Sequence, residues 1–406
     1  MNPTDASSRP ALHRSVWALG FVSLCMDTSS EMIHALLPVF LVGGLGVSAF
    51  VLGLIEGGAE ATASLLKIVS GAWSDRWGKR KPLIVLGYGL AALTKPLFPL
   101  AQSAWAVLAA RLLDRVGKGI RGAPRDALVA DVTPAAHRGA AYGLRQSLDT
   151  VGAFLGPLIA IGLMLGLAFD VRAVFWAACV PALLAVVVLV VAVAEPANVP
   201  RAERGESWLR GLRRRDFPRA FWLLVALVGL FTLMRFSEAF LVLRASEAGL
   251  PTAWLPATLV VMSATYLLTA YPAGRLSDRV SRKRLLALGC IVMVAADVTL
   301  ATADGLPAVF VGIALWGVHM GLTEGLVAAL TADHAPADLR GTAFGMVNLA
   351  RALMLLPASA LAGALWTHSG APATFTVGAG LAVLTAVAAL LLPDRRQVAA
   401  DANAAA

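Results

Sequence analysis

Gly71-Ala-Trp-Ser-Asp75-Arg76-Trp-Gly78-Lys79-Arg80-Lys81 is a short polar break between two apolar runs. At an offset of 203 it recurs as Gly274-Arg-Leu-Ser-Asp278-Arg279-Val-Ser281-Arg282-Lys283-Arg284. Both copies place Asp-Arg four residues after a glycine and follow it with three basic residues, Ser281 standing where the first copy has its second glycine. A second pair of loops repeats as well. Ala127-Leu-Val-Ala-Asp131 matches Ala329-Leu-Thr-Ala-Asp333, and Arg138-Gly139 matches Arg340-Gly341, both at an offset of 202. A near-constant offset over separate loops marks a chain built from two parallel repeats, the arrangement that places a transport site at the midplane between halves.

The surroundings of these loops set the solvent. Of 406 residues, 58% are hydrophobic and 15% charged. A soluble domain is roughly 45–50% apolar and about 25% charged. That excess excludes a soluble enzyme, a disordered protein and a disulfide scaffold. The three cysteines, Cys25, Cys179 and Cys290, lie in apolar runs without metal-finger spacing. Apolar stretches of about 20 residues recur, the length that spans a bilayer. Twelve are expected: 15–41, 48–73, 82–101, 104–124, 139–167, 171–194, 220–243, 253–276, 285–303, 306–332, 341–366 and 371–393. They are read as helices, since barrel strands would be shorter and alternate in polarity. The first is too long for a signal peptide and carries Asp27 and Glu31 in its middle.

The connecting segments are asymmetric. Those on one side hold 22 Lys and Arg residues, from Arg9 and Arg14 to Arg395 and Arg396. The other side holds Arg172 and Arg244. Positive-inside bias therefore places both termini in the cytoplasm of a multi-pass inner-membrane protein. It also accounts for the net charge of +9 without nucleic acid. The longest polar segment divides the chain into an N-terminal tail 1–14, a bundle 15–194, a cytoplasmic linker 195–219, a bundle 220–393 and a C-terminal tail 394–406.

The doubled loop resembles the signature loop of the major facilitator superfamily, which carries it after the second and the eighth spans. The resemblance covers residues 15–393. It implies an all-α membrane protein, with twelve transmembrane helices in two six-helix bundles. It also implies a secondary transporter working by alternating access, in which Gly71, Asp75, Arg76, Gly274, Asp278 and Arg279 form a latch of the outward-facing state. Leu112-x-x-Arg115-x-x-Lys118-Gly119 is similar to the family's fourth-span motif, whose arginine is implicated in proton coupling; Lys118 replaces the usual glutamine. Gly152-x-x-x-Gly156-Pro157 resembles the fifth-span motif of proton-driven exporters, without its trailing glycines. Gly and Pro there bend a helix and permit close packing.

Charges inside the spans point to the site, because each costs about 2.5–3.5 kcal/mol at mid-membrane and so needs a partner or a role. Asp27, Glu31 and His34 share a face of the first span. Glu56 and Glu60, Lys95, Arg111, Asp114, Arg115, Lys118, Arg145 and Asp149 follow in the same half. The second half offers Arg235, Glu238, His319, Glu324 and Arg351. Asp27 and Glu31 facing Arg115 or Arg145, with Asp149, are the proton-coupling candidates, since a moving Arg–carboxylate contact can load and release a proton. Arg111 and Asp114, three apart, read as an intrahelical pair. His34, Arg235, Glu238, His319, Glu324 and Arg351 are the substrate-cavity candidates, with Arg235 and Arg351 able to clamp a carboxylate or phosphate. Trp222, Phe236, Trp254, Tyr266 and Trp316 could line a cavity, although packing or a membrane-interface place is the favoured role for each. Met32, Met320 and Cys25 leave a soft-metal cargo open, although no resident metal or cofactor is expected. No nucleophile elbow, zinc motif or nucleotide loop is present, so an enzyme is not expected. The leading expectation is a monomeric, proton-coupled exporter of a small solute. The alternatives are an importer or facilitator of a small organic anion and a non-transporting receptor on the same fold.

Overall fold

The computed structural model describes residues 13–134, 137–168, 170–194, 217–277, 279–335 and 339–393. The expected linker and tails fall almost wholly outside these residues. Within them the chain is all-helical, in eleven segments without a strand. They are α1 (Arg14–His34), α2 (Ala49–Trp77), α3 (Lys81–Leu100), α4 (Ala104–Asp131), α5 (Arg138–Gly166) and α6 (Val171–Ala192). Then come α7 (Arg219–Glu247), α8 (Thr252–Ser277), α9 (Arg282–Thr302), α10 (Leu306–His334) and α11 (Arg340–Leu391). Nine of these segments are long and apolar enough to cross a membrane. Of the other two, α4 carries eight charged residues, and α1 interrupts its apolar run with Asp27, Glu31 and five Ser and Thr residues.

Local chemistry sets the ends. The Ser48 hydroxyl accepts from the Val51 N–H at the start of α2, and Ser103 accepts from Ala106 at the start of α4. Gly78 ends α2 in the left-handed region (φ 66°, ψ 22°), which a Cβ would resist. The last segment is 52 residues long, about 78 Å if straight, against a hydrocarbon core of about 30 Å. It is broken at Gly370 (φ 79°, ψ 176°), with Pro372 just beyond.

Helices α1–α6 pack mainly among themselves: α1 against α5 and α6, and α4 against α2 and α3. Helices α8–α11 do likewise, with α7 against α11. Crossings are close where glycines face backbone. A Cβ on Gly152 would stand 2.4 Å from the Leu24 carbonyl oxygen, and one on Gly156 2.7 Å from that of Thr28. The proposed bend residues of α5 thus seat it tightly on α1, and α5 remains one helix through Pro157.

The repeat shows in the contacts at the basic end. Arg80 pairs with Asp131 at 3.2 Å, and Arg282 with Asp333 at 2.5 Å. The Lys81 ammonium donates to the Val190 carbonyl (3.0 Å), and Lys283 to that of Leu392 (3.1 Å). All four matches are offset by 202. This corrects the alignment by sequence, which paired Arg80 with Lys283. The second loop is one residue shorter, and among its described residues none takes the left-handed conformation of Gly78.

The two groups of helices meet at the opposite end through α2 and α11. A Cβ on Gly53 would lie 2.1 Å from the Ser359 carbonyl oxygen, and one on Gly363 2.4 Å from that of Ala49. The Phe50 N–H donates to the Thr367 hydroxyl at 3.1 Å. From mid-helix toward the basic end a cavity separates the groups.

Candidate transport site

The cavity has two adjoining compartments, about 310 and 370 Å³. The first lies at mid-helix, between α1, α2 and α4 on one wall and α7 and α11 on the other. The second runs toward the basic end past Lys67, Arg121 and Arg125. Glu31, Glu60, Lys118 and Glu238 line both and so form the neck between them.

The C-terminal wall is made by an interruption of α7. Its first part ends at Met234, Arg235 leaves helical geometry (φ −108°, ψ 79°), and helix resumes at Ala239. The Ser237 hydroxyl accepts from the Ala239 N–H and starts the second part. The break turns Arg235, Phe236, Ser237 and Glu238 onto the cavity wall. Discontinuous helices at the midplane are a recurrent means of building transporter sites.

The N-terminal wall is a charge network. Arg111 donates to both Glu56 oxygens (3.1 and 2.8 Å), with His34 Nδ1 3.0 Å from its guanidinium. Lys95 donates to Asp114 (2.9 Å) and to the Ser30 hydroxyl (3.0 Å). Arg115 lies 3.2 Å from Glu60 and 3.8 Å from Asp114. Arg111, Glu56, Lys95 and Asp114 are each at most 3% exposed. They are ties between helices, because breaking such a buried pair leaves an uncompensated charge. The intrahelical Arg111–Asp114 pair is therefore not formed: each residue faces a different neighbouring helix.

The coupling candidates are arranged differently from expectation. Asp27 does not face Arg115 or Arg145. Its carboxyl neighbours that of Asp149 on α5, and two carboxyl groups in such an arrangement can bond to each other only by sharing a proton. Both line the second compartment. Arg145 and Arg125 approach Asp149 at 3.6 and 3.8 Å. Arg125 also donates to the hydroxyls of Ser23 (3.0 Å) and Tyr88 (3.2 Å). Glu31 does share the first compartment with Arg115, whose charge acts on it as expected, but it makes no ion pair among the described residues and also lines the neck.

In the second half, Arg235 donates to Glu324 at 2.7 Å, and Arg351 approaches the same carboxylate at 3.6 Å. The two arginines face the first compartment, but an internal carboxylate occupies their fork. His319 is a correction. It is fully buried behind Phe231, its Nδ1 2.8 Å from the Gly289 carbonyl oxygen, and it does not reach the cavity. Phe236 and Tyr266 line the cavity, whereas Trp316 is buried and Trp254 is exposed. Met320 faces the second compartment, whereas Met32 and Cys25 are buried away from it.

In the latch, a Cβ on Gly71 would stand 3.2 Å from the Ala123 Cβ, and Gly274 opens onto a pocket also lined by Glu324. Arg76 and Arg279 are exposed. Asp278 and the Asp75 side chain lie outside the described residues.

Asp297 escaped the sequence reading. It is fully buried in α9, with Trp316 Nε1–H donating to one oxygen at 3.2 Å and the other oxygen unpartnered among the described residues. The signal was present. Asp297 and Trp316 are the repeat equivalents, at an offset of 202, of Lys95 and Asp114.

The description Major Facilitator Superfamily matches this sequence over residues 19–356 and 244–406. The chain belongs to the major facilitator superfamily. As a member of this family it is a multi-pass membrane transporter rather than an enzyme. It is 31% identical over 387 residues to an uncharacterised MFS-type transporter of Methanocaldococcus jannaschii, covering 94% of this chain and 95% of that one. It is 30% identical over 343 residues to the multidrug resistance protein MdtH of Yersinia pestis, covering 82% of each. Among solved structures it resembles a POT family transporter in complex with 5-aminolevulinic acid (TM-score 0.78, 14% identity, 95% and 96% covered). The nucleoside transporter NupG gives a TM-score of 0.78 at 12% identity, with 93% and 100% covered. At these identities the structural likeness establishes the fold.

Proposed function

We propose that the chain is a proton-coupled exporter of a small solute. In this reading it acts as a monomer in the inner membrane and crosses it twelve times, with both termini in the cytoplasm. Helices α1 and α4 cross despite their charge, because their partners are inside the protein. The two arms of α11 on either side of Gly370 make two crossings. Helices α1–α6 and the rest then form two six-helix units that rock about the cavity. Positive-inside bias makes the basic end cytoplasmic, so the structure represents the inward-facing state.

The observation that carries the coupling is the Asp27–Asp149 pair on the cavity wall. Holding one proton, the pair keeps a single charge beside Arg125 and Arg145. Losing it sets two carboxylates against each other, which favours uptake of a proton or rearrangement around the arginines. A titrating pair in the aqueous half of the site is thereby linked to what else occupies the cavity. The MdtH relative favours outward movement of the solute.

The test uses proteoliposomes with a trapped pH dye and solutes taken from a resistance screen. An imposed pH gradient is expected to drive solute flux, with counterflow of protons. Asp27→Asn and Asp149→Asn are expected to abolish that flux while the protein remains monodisperse. Undiminished gradient-driven flux in both variants would sink the assignment.

A further inference from the structure

We infer that the first compartment holds its solute through a cationic amine, clamped between Glu31 of α1 and Glu238 of α7. The inference rests on the reading of this cavity as the transport site and names the chemistry it selects.

The argument is a pairing of charges. Glu56 is neutralised by Arg111, Glu60 by Arg115 and Asp114 by Lys95. Arg235 and Arg351 are both turned on Glu324. Lys118 lines the neck without an ion pair among the described residues, its charge shared among Glu60, Asp27 and Asp149, and Arg115 also acts on Glu31, so the neck holds two unpaired carboxylates against one ammonium. Glu31 and Glu238 are left at the neck without an ion pair among the described residues. They come from opposite groups of helices, so a ligand that bridges them ties the two groups together. His34, Arg235, Glu31 and Glu60 act on Glu238, and Lys118, Arg115 and Arg351 line the same compartment. Arg235 is already engaged, and His34 is held at Arg111.

The interruption of α7 sets Glu238 between the carbonyl end of its first part and the N-terminus of its second, whose opposite partial charges offset each other, so the carboxylates themselves select the cation. An uncompensated carboxylate at this depth costs several kcal/mol, which an incoming ammonium relieves. Phe231, Phe236 and Leu355 on the same wall offer an apolar surface for the body of the ligand. A compartment of about 310 Å³ takes a small arylalkyl amine. An anion finds no such welcome, since Glu324 already fills the arginine fork.

The experiment compares two ligands with one body and opposite charge, 2-phenylethylammonium and 3-phenylpropanoate. Binding to the full chain in nanodiscs is measured by calorimetry, with empty nanodiscs subtracted. The ammonium is expected to bind at least about tenfold more tightly than the carboxylate. Glu31→Gln and Glu238→Gln are each expected to weaken it by about 10–100-fold, the scale of a lost charged hydrogen bond. Glu31→Asp and Glu238→Asp retain the charge and are expected to keep most of the binding, which separates loss of charge from loss of fold. No binding of the ammonium by the wild-type chain, equal or tighter binding of 3-phenylpropanoate, or unchanged binding in both Gln variants overturns the clamp. If the ammonium binds through both glutamates and yet no solute moves in proteoliposomes, the transport reading fails and the clamp stands. If solutes move and 3-phenylpropanoate is preferred, transport stands and the clamp falls.

Discussion

Gly53→Ala adds one carbon to the seam between α2 and α11. Built on the present backbone, that Cβ lies 2.1 Å from the Ser359 carbonyl oxygen and 2.9 Å from its carbon. Carbon–oxygen contacts settle at about 3.3–3.6 Å, so the two helices must part by roughly 1.2–1.5 Å at this level. Overpacking of this kind costs about 1–3 kcal/mol. The cost falls on the state in which this end is closed and disappears when it opens. The equilibrium is therefore expected to move by about 5–150-fold toward the state open at the non-basic end. Gly58, in the same helix, has nothing within 4 Å of its added Cβ, and Gly58→Ala is the matched control. The assay is thiol labelling of Ser263→Cys, on the wall of the second compartment, in a chain whose three native cysteines are replaced by serine. A membrane-impermeant reagent applied from the basic side is expected to react more slowly in Gly53→Ala and normally in Gly58→Ala. Equal labelling in both, with both proteins stable, would show that the seam is the same in every state of the cycle.

Two other outcomes test the buried charges. Lys95→Met removes the hydrogen-bonded cation of Asp114, leaving only Arg115 at 3.8 Å, and is expected to destabilise the protein by about 3 kcal/mol; thermal unfolding reads this, and the double variant Lys95→Met/Asp114→Leu is expected to regain most of the loss. A single variant that melts like the wild type refutes the tie. Glu324→Gln opens the Arg235–Arg351 fork and is expected to raise affinity for 3-phenylpropanoate by about tenfold, the scale of a charge-assisted hydrogen bond. Unchanged affinity would mean that Glu324 does not occupy the fork.

What was legible in the sequence was what depends on neighbours along the chain. The repeat, the apolar runs and the sidedness of Arg and Lys are statistics of local composition, and they lead to the family without any structure. Pairing was not legible, because it depends on which helix faces which. Arg111 finds an acid three residues away in sequence, yet its partner is Glu56 on α2. Asp27 meets another acid rather than an arginine. The interruption of α7 carries no proline or glycine between Arg235 and Glu238 to announce it. Asp297 is a single carboxylate in an apolar run, and its meaning emerges only beside Lys95 in the other repeat. The one-residue slip between the two loops was hidden because both contain a run of basic residues that aligns in more than one register.

The network around α4 also has an order in time. Arg111, Asp114 and Arg115 sit in the middle of a helix that, alone in lipid, would carry a penalty of about 7–10 kcal/mol. Their partners are Glu56 and Glu60 on α2 and Lys95 on α3. All three partners lie earlier in the chain. A ribosome working from the N-terminus thus delivers each counter-charge before the helix that requires it. The fourth helix can leave the insertion machinery sideways, into a receptor already assembled from the second and third, without first meeting the acyl chains on its own.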